Sequence, residues 1–167
     1  MRPDTLAPSK QSAVSKAIGT YDPEWWLGFS GTAPRFYIHG LRASGAGLIA
    51  GEQYYLAGTF DRWFGLSEEM KLYVDGVQDA VAERASPISD TVCNVSLGAL
   101  NVPTGSNFFN GILDEVRVSD MTRSASWILT TYNTQNAPST FMSWGAEEAL
   151  LVRVPKPTVA VGNPLMF

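Results

Sequence analysis

The chain has 167 residues and a formal net charge of −4, which argues against a nucleic-acid binder, since such proteins carry a basic patch. A single cysteine, Cys93, excludes an internal disulfide and any multi-cysteine zinc site. No run approaches the ~18 apolar residues of a membrane span, and Met1 to Pro8 lacks the apolar segment of a secretory signal.

The length suits one domain with a real core. With 15 glycines, 10 prolines and 11% aromatics, the composition favours many short strands joined by turns. Residues 1–11 are polar and carry Pro3 and Pro8, so they read as an arm. Ser12 to Ile18 suits a first strand with Val14 inward. Trp25 to Ser30 and Arg35 to His39, separated by Gly31-Thr32-Ala33-Pro34, form a hairpin pattern rich in aromatics. Leu41 to Ala50, full of small residues, reads as a loop. Gln53 to Phe60 is another strand, ending at Asp61-Arg62.

Met70 to Val74 meets Asp75-Gly76 and then Val77. Asp-Gly between apolar runs is the strongest short-range hairpin signal, because both central positions need φ > 0. Ala80 to Asp90 reads as loop or weak strand, Val92 to Leu100 as a strand, and Asn101 to Asn107 as a turn. From Gly111 a long strand is expected. Its parity puts Ile112, Asp114, Val116 and Val118 on one face, three of them β-branched, so that face should be buried. Asp114 is the anomaly there. It must be hydrogen-bonded, paired, bound to a metal, or turned to solvent by a bulge.

Ser124 is a good N-cap. Ala125, Ile128, Leu129 and Tyr132 then fall at i, i+3, i+4 and i+7, the stripe of one short helix over residues 124–132. Phe141 to Gly145 suits a closing strand and Ala149 to Val154 a further one, before Pro155-Lys156-Pro157 breaks the run. About eight to ten strands with one helix make an all-β protein, an antiparallel β-sandwich.

Three ordered motifs carry a family likeness. They are Tyr55-Leu56-Ala57-Gly58-Thr59-Phe60-Asp61, Met70-Lys71-Leu72-Tyr73-Val74-Asp75-Gly76, and Phe109-Asn110-Gly111 through Arg117. In that order they resemble a laminin G-like, concanavalin A-like jelly roll of the kind borne by bacterial multidomain surface proteins. Arg123 to Ile128 and Ser143 to Glu148 extend the resemblance, which covers residues 12–148 and leaves 149–167 as a C-terminal extension. Two departures stand out: few residues precede Ser12 where the family has further strands, and Tyr54-Tyr55 replaces a frequent Trp-His.

The resemblance implies a non-catalytic binding or adhesion module, extracellular or on a cell or particle surface, contacting glycan or protein. Related domains often hold one calcium, which makes the oxygen donors Asp61 and Asp114, with Asp75 and Asp90, metal candidates. Trp25, Trp26, Tyr54, Tyr55 and Trp63 are candidates for a sugar-stacking platform, although aromatics in sandwiches are mostly core. The glycosidases of this superfamily space their carboxylates along one strand. Here Glu68-Glu69, Asp114-Glu115 and Glu147-Glu148 are adjacent and point to opposite faces. His39, the only histidine, lies in an alternating strand and suits no triad. The alternative function is a structural subunit of a virion, filament or other particle, a homo-oligomer or larger assembly. The apolar residues Leu150, Leu151, Val152, Val154, Leu165 and Phe167 would then cover a sheet edge of their own domain or of a neighbour.

Overall fold

The computed structural model describes residues 1–6, 9–17, 24–62, 68–84, 92–100, 105–142 and 145. Its strands are β1 (Arg2–Pro3), β2 (Lys10–Lys16), β3 (Trp25–Ser30), β4 (Ala33–Ile38), β5 (Leu41–Ser44) and β6 (Leu56–Asp61). They continue as β7 (Glu68–Val74), β8 (Val77–Arg84), β9 (Val95–Leu97) and β10 (Gly111–Ile112), followed by helices α1 (Ala125–Asn136) and α2 (Pro138–Phe141). A five-stranded sheet runs β5-β4-β3-β2-β9, a three-stranded sheet runs β6-β7-β8, and β1 pairs with β10. Every pairing is antiparallel, so the all-β sandwich with a short helix is the fold.

Alternation along each strand builds the core. On β4, Phe36 and Ile38 point inward; on β7, Met70 and Leu72 point back at them, joined by Ala43 from β5. Trp25, Leu27, Leu41, Phe60, Ala80 and Ala82 pack around this cluster. Gly58 sits opposite Leu72, and its missing side chain makes room for the Phe36 ring. Residues of opposite parity lie on the other face of each sheet: Trp26 opposite Tyr37 and Gly28 opposite Arg35 on the large sheet, where Trp26 is buried against Ala17 and Leu100, and Asp61 opposite Glu69 on the small one.

Two hairpins turn on paired left-handed residues. Asp75 (φ 51°) and Gly76 (φ 80°) close β7–β8 as the sequence predicts, and His39 (φ 37°) and Gly40 (φ 82°) close β4–β5. His39 is therefore a turn residue rather than part of a strand. That second turn also makes a strand of Leu41–Ser44, where the sequence reads as loop: Arg35 pairs with Ser44 and Phe36 with Ala43. β8 likewise extends further than a weak strand, through Arg84.

The expected long strand after Gly111 is the largest difference. It ends at Ile112, and Ile112, Val116 and Val118 are exposed rather than buried. Gly111 lies so close to β1 that a Cβ there would stand 2.2 Å from the Arg2 carbonyl oxygen, and Glu115 turns to φ 53°. Asp114 accepts the Glu115 N–H at 2.9 Å, a local bond that competes with extended structure. Asp114 is therefore turned to solvent. Pro3 is buried and β1 is paired, so the first residues lie against the sheet.

Helix α1 begins after Ser124 as predicted, the Ser124 hydroxyl accepting the Trp127 N–H at 3.2 Å. It runs on to Asn136, and of the predicted stripe only Ile128 is fully buried. Phe141, expected in a closing strand, ends α2 instead. Trp63, Asp90, Ser143-Trp144 and the extension 149–167 lie outside the described residues.

Candidate functional site

The outward face of β6-β7-β8 is the floor of a cleft of about 360 Å³. Its floor residues are fixed by hairpin register. Asp61 stands opposite Glu69, and Glu69 opposite Glu83; Thr59 stands opposite Lys71; Tyr73 stands opposite Gln78. The register shifts at Leu72/Tyr73, a bulge that leaves Asp79 without a partner on β7. Its carboxylate instead accepts the Ala46 N–H at 2.9 Å, tying the loop after β5 to β8. The shift is what brings Gln78 beside Tyr73 on the cleft side.

The segment entering α1 forms the wall, through Thr122, Arg123, Ser124 and Ala125. The Thr122 hydroxyl donates to the Phe60 carbonyl at 2.6 Å, fastening the wall to β6. The Arg123 guanidinium lies 4.8 Å from the centre of the Trp127 ring, a cation–π contact that fixes its direction. Behind the wall, α1 docks on the β7–β8 turn. A Cβ on Gly76 would lie 3.0 Å from Leu129 and 3.1 Å from Tyr132, and Tyr132 packs on Tyr55 with ring centres 6.2 Å apart. Tyr55 is in turn held by Asp75, whose carboxylate accepts the Tyr55 N–H at 2.8 Å.

Within the cleft the Lys71 ammonium pairs with the Glu69 carboxylate. Its hydrogen bond to Glu69 is the largest influence on Lys71 and holds its pKa above the usual lysine value. The site thus gathers carboxylates, an ammonium, an amide and hydroxyls on a polar floor, the groups that grip a hydroxyl-rich ligand. Asp61 and Glu69 face each other across neighbouring strands at a Cβ spacing of roughly 5 Å. This cross-strand pair is invisible when only carboxylates adjacent in sequence are compared.

The sequence candidates scatter. Asp61 lines the cleft, while Asp114 lines a separate notch of about 140 Å³ with Met1, Arg2, Gln53 and Ile112. Among the described residues no group of three or more His, Cys, Asp and Glu is placed to hold a metal ion, and the carboxylate opposite Asp61 is engaged by Lys71. That donor set is a poor fit for calcium, which takes six to eight oxygens. Trp26 is 3% exposed and stacks on Tyr37, and Trp25 packs against the inter-sheet core; neighbours on one strand, they point to opposite faces. Tyr54 spends its hydroxyl on the Ile49 N–H at 3.0 Å. Lys71, Tyr73, Gln78, Thr122 and Arg123 are cleft residues that sequence reasoning missed. The Asp75-Gly76 turn was the available signal, since it fixes which β7 and β8 residues share a face.

A search of curated proteins returns no match. A laminin G-type family model, described as the concanavalin A-like lectin/glucanases superfamily, matches residues 1–129. It spans β1 through β10 and the first part of α1, including every cleft residue. By sequence and by architecture, the chain belongs to the laminin G-like, concanavalin A-like lectin/glucanase superfamily.

Proposed function

We propose that this domain is a non-catalytic binding module that takes a neutral, hydroxyl-rich glycan in the cleft between β6-β7-β8 and the start of α1. The observation that carries the proposal is the cleft's lining: Asp61, Glu69, Lys71 and Gln78 converge from three strands on one polar floor. Carboxylate and amide pairs accept and donate to vicinal hydroxyls, and Lys71 neutralises part of the acidic row. The superfamily's description covers glucanases as well as lectins, and Asp61 and Glu69 are a cross-strand carboxylate pair, the residue types a glycosidase uses. Such an enzyme needs one of its two carboxyls held as a proton donor. Glu69 instead spends its carboxylate on the Lys71 ammonium, and binding without turnover is the better reading. On the family likeness the same proposal places the domain outside the cell or on a particle surface.

Glycan-array screening with added calcium and with chelator tests the proposal. It expects neutral glycans to be retained in both conditions, and retention to be lost in Asp61→Asn and Gln78→Ala. Retention only with calcium would restore Asp61 to a metal-site role. No retention in either condition, or release of reducing ends from a bound glycan, would refute the reading.

A second reading, a structural subunit of a larger assembly, is favoured by one observation. Val95, Leu97, Ile112 and Val118 are all exposed, apolar side chains that a neighbouring subunit would bury. Light scattering on the chain with and without residues 149–167 tests it. A monomer in both cases counts against assembly.

A further inference from the structure

The small sheet ends at β6, and beyond it the core-facing side of the large sheet lies open. Gly58 on β6 sits under the Phe36 ring of β4, while β7 and β8 pack toward β5. The free side of β6 therefore faces β3, β2 and β9. On that stretch Val95 is opposite Lys16 and Leu97 opposite Val14, and Lys16 and Val14 are in turn opposite Trp25 and Leu27. Cross-strand partners share a face, and Trp25 and Leu27 pack on the inter-sheet core. Val95 and Leu97 thus stand on the inward side of their sheet, yet they are 49% and 60% exposed.

β6 also keeps an open backbone edge. The Asp75 N–H donates to the Tyr55 carbonyl at 2.8 Å. By the alternation of an antiparallel ladder, Ala57, Thr59 and Asp61 then bond to β7, and Leu56, Gly58 and Phe60 point away from it. The Phe60 carbonyl takes the Thr122 hydroxyl from that side. Among the described residues no backbone group bonds to Leu56 or Gly58 there. An unpaired edge beside exposed core-facing side chains calls for a strand.

One segment of the chain has the required pattern. Ala149-Leu150-Leu151-Val152-Arg153-Val154, outside the described residues, matches the six residues of β6 in length. A period of two puts Leu150, Val152 and Val154 on one side, with Leu151 and Arg153 on the other; Pro155 and Pro157 then stop further pairing. With the first three turned toward Val95 and Leu97, Arg153 falls on the outer side, where β6 and β7 present Asp61 and Glu69. Helix α1 starts beside Phe60 and carries Tyr132 back to Tyr55, so the chain leaves it toward the start of β6. A strand returning from there runs parallel to β6 and brings Arg153 to the Asp61 end.

We propose that residues 149–154 add to the free edge of β6 in their own domain, closing the open flank of the sandwich and setting Arg153 beside Asp61. This docking does not depend on the glycan reading, and it differs from the assembly reading in seating the segment on its own chain.

Amide exchange followed by NMR tests it on the full chain and three variants: truncation after Glu148, Val152→Pro and Arg153→Glu. The full chain at low concentration should protect the Leu56, Gly58 and Phe60 amides. Truncation and Val152→Pro should each speed their exchange by about tenfold or more, the effect of losing a hydrogen bond, while amides of the central strand β7 keep their rates. Arg153→Glu keeps the pattern and reverses one charge; it should speed the same three amides by less, and it decides the question if the first two variants unfold. Unchanged exchange in Arg153→Glu would overturn the pairing with Asp61. Equal exchange at the three amides in the full and truncated chains would overturn the docking. Protection that vanishes on dilution would assign the segment to a neighbouring copy and overturn its placement on its own domain.

Discussion

Gly58→Ala probes the inter-sheet packing directly. A Cβ at Gly58 would lie 2.6, 2.7 and 2.9 Å from three ring atoms of Phe36, all well inside van der Waals contact. Phe36 cannot retreat easily, because Ile38, Ala43, Met70 and Leu72 form one buried cluster with it. Overpacking of this kind costs about 1–3 kcal/mol. The reduced backbone freedom of alanine in the unfolded chain offsets roughly 0.5–1 kcal/mol of that. A net loss of about 1–2 kcal/mol is expected, which at ordinary urea sensitivities lowers the unfolding midpoint by roughly 0.5–1 M. Combining Gly58→Ala with Phe36→Leu should recover part of the loss, giving a coupling of about 0.5 kcal/mol or more in a double-mutant cycle. A midpoint equal to or above that of the parent, or strict additivity with Phe36→Leu, would refute the face-to-face placement of β6 and β4.

Other perturbations read other parts of the account. Gly76→Ala meets both a left-handed backbone and the α1 side chains; a loss of about 1–2 kcal/mol and movement of the Tyr55 and Tyr132 NMR signals are expected. Ser124→Ala removes the α1 cap, costing about 1 kcal/mol and speeding amide exchange at Trp127, whereas Ser124→Asp should be close to neutral. Lys71 has its pKa raised in the folded state by Glu69. Its stabilising contribution is therefore complete below the ordinary lysine value and lost as pH climbs through the raised one. Urea unfolding of parent and Lys71→Gln should differ near neutrality and converge at strongly alkaline pH; equal stability of the two near neutrality would contradict the Lys71–Glu69 assignment.

The parts of the fold written in local chemistry were legible in the sequence. Asp75-Gly76 can only turn one way, the alternation from Arg35 to Ile38 separates inside from outside, and Ser124 opens a helix. Leu41–Ser44 was not legible, because its strand character comes from pairing with β4 rather than from its own small residues. Residues 112–118 mislead in the opposite sense. Their period-two pattern is that of a buried strand, but the backbone approach at Gly111 and the Asp114–Glu115 turn end it at Ile112. The cleft was half legible. Asp61 was singled out for its oxygen atoms, yet its neighbours depend on the β6–β7 register, on the bulge at Leu72/Tyr73, and on where α1 docks. Trp25 and Trp26 are packed into the sandwich rather than displayed, because a sandwich core uses the same residues as a sugar platform.

The most direct test of the binding reading is chemical-shift mapping of the labelled chain while a neutral glycan retained on the array is added. The account predicts that the largest changes fall on Thr59, Asp61, Glu69, Lys71, Tyr73 and Gln78 and on residues 122–125, with the glycan recovered intact. Changes confined to the Asp114 notch or spread over the exposed residues Val95, Leu97 and Val118, or cleavage of the glycan, would contradict it.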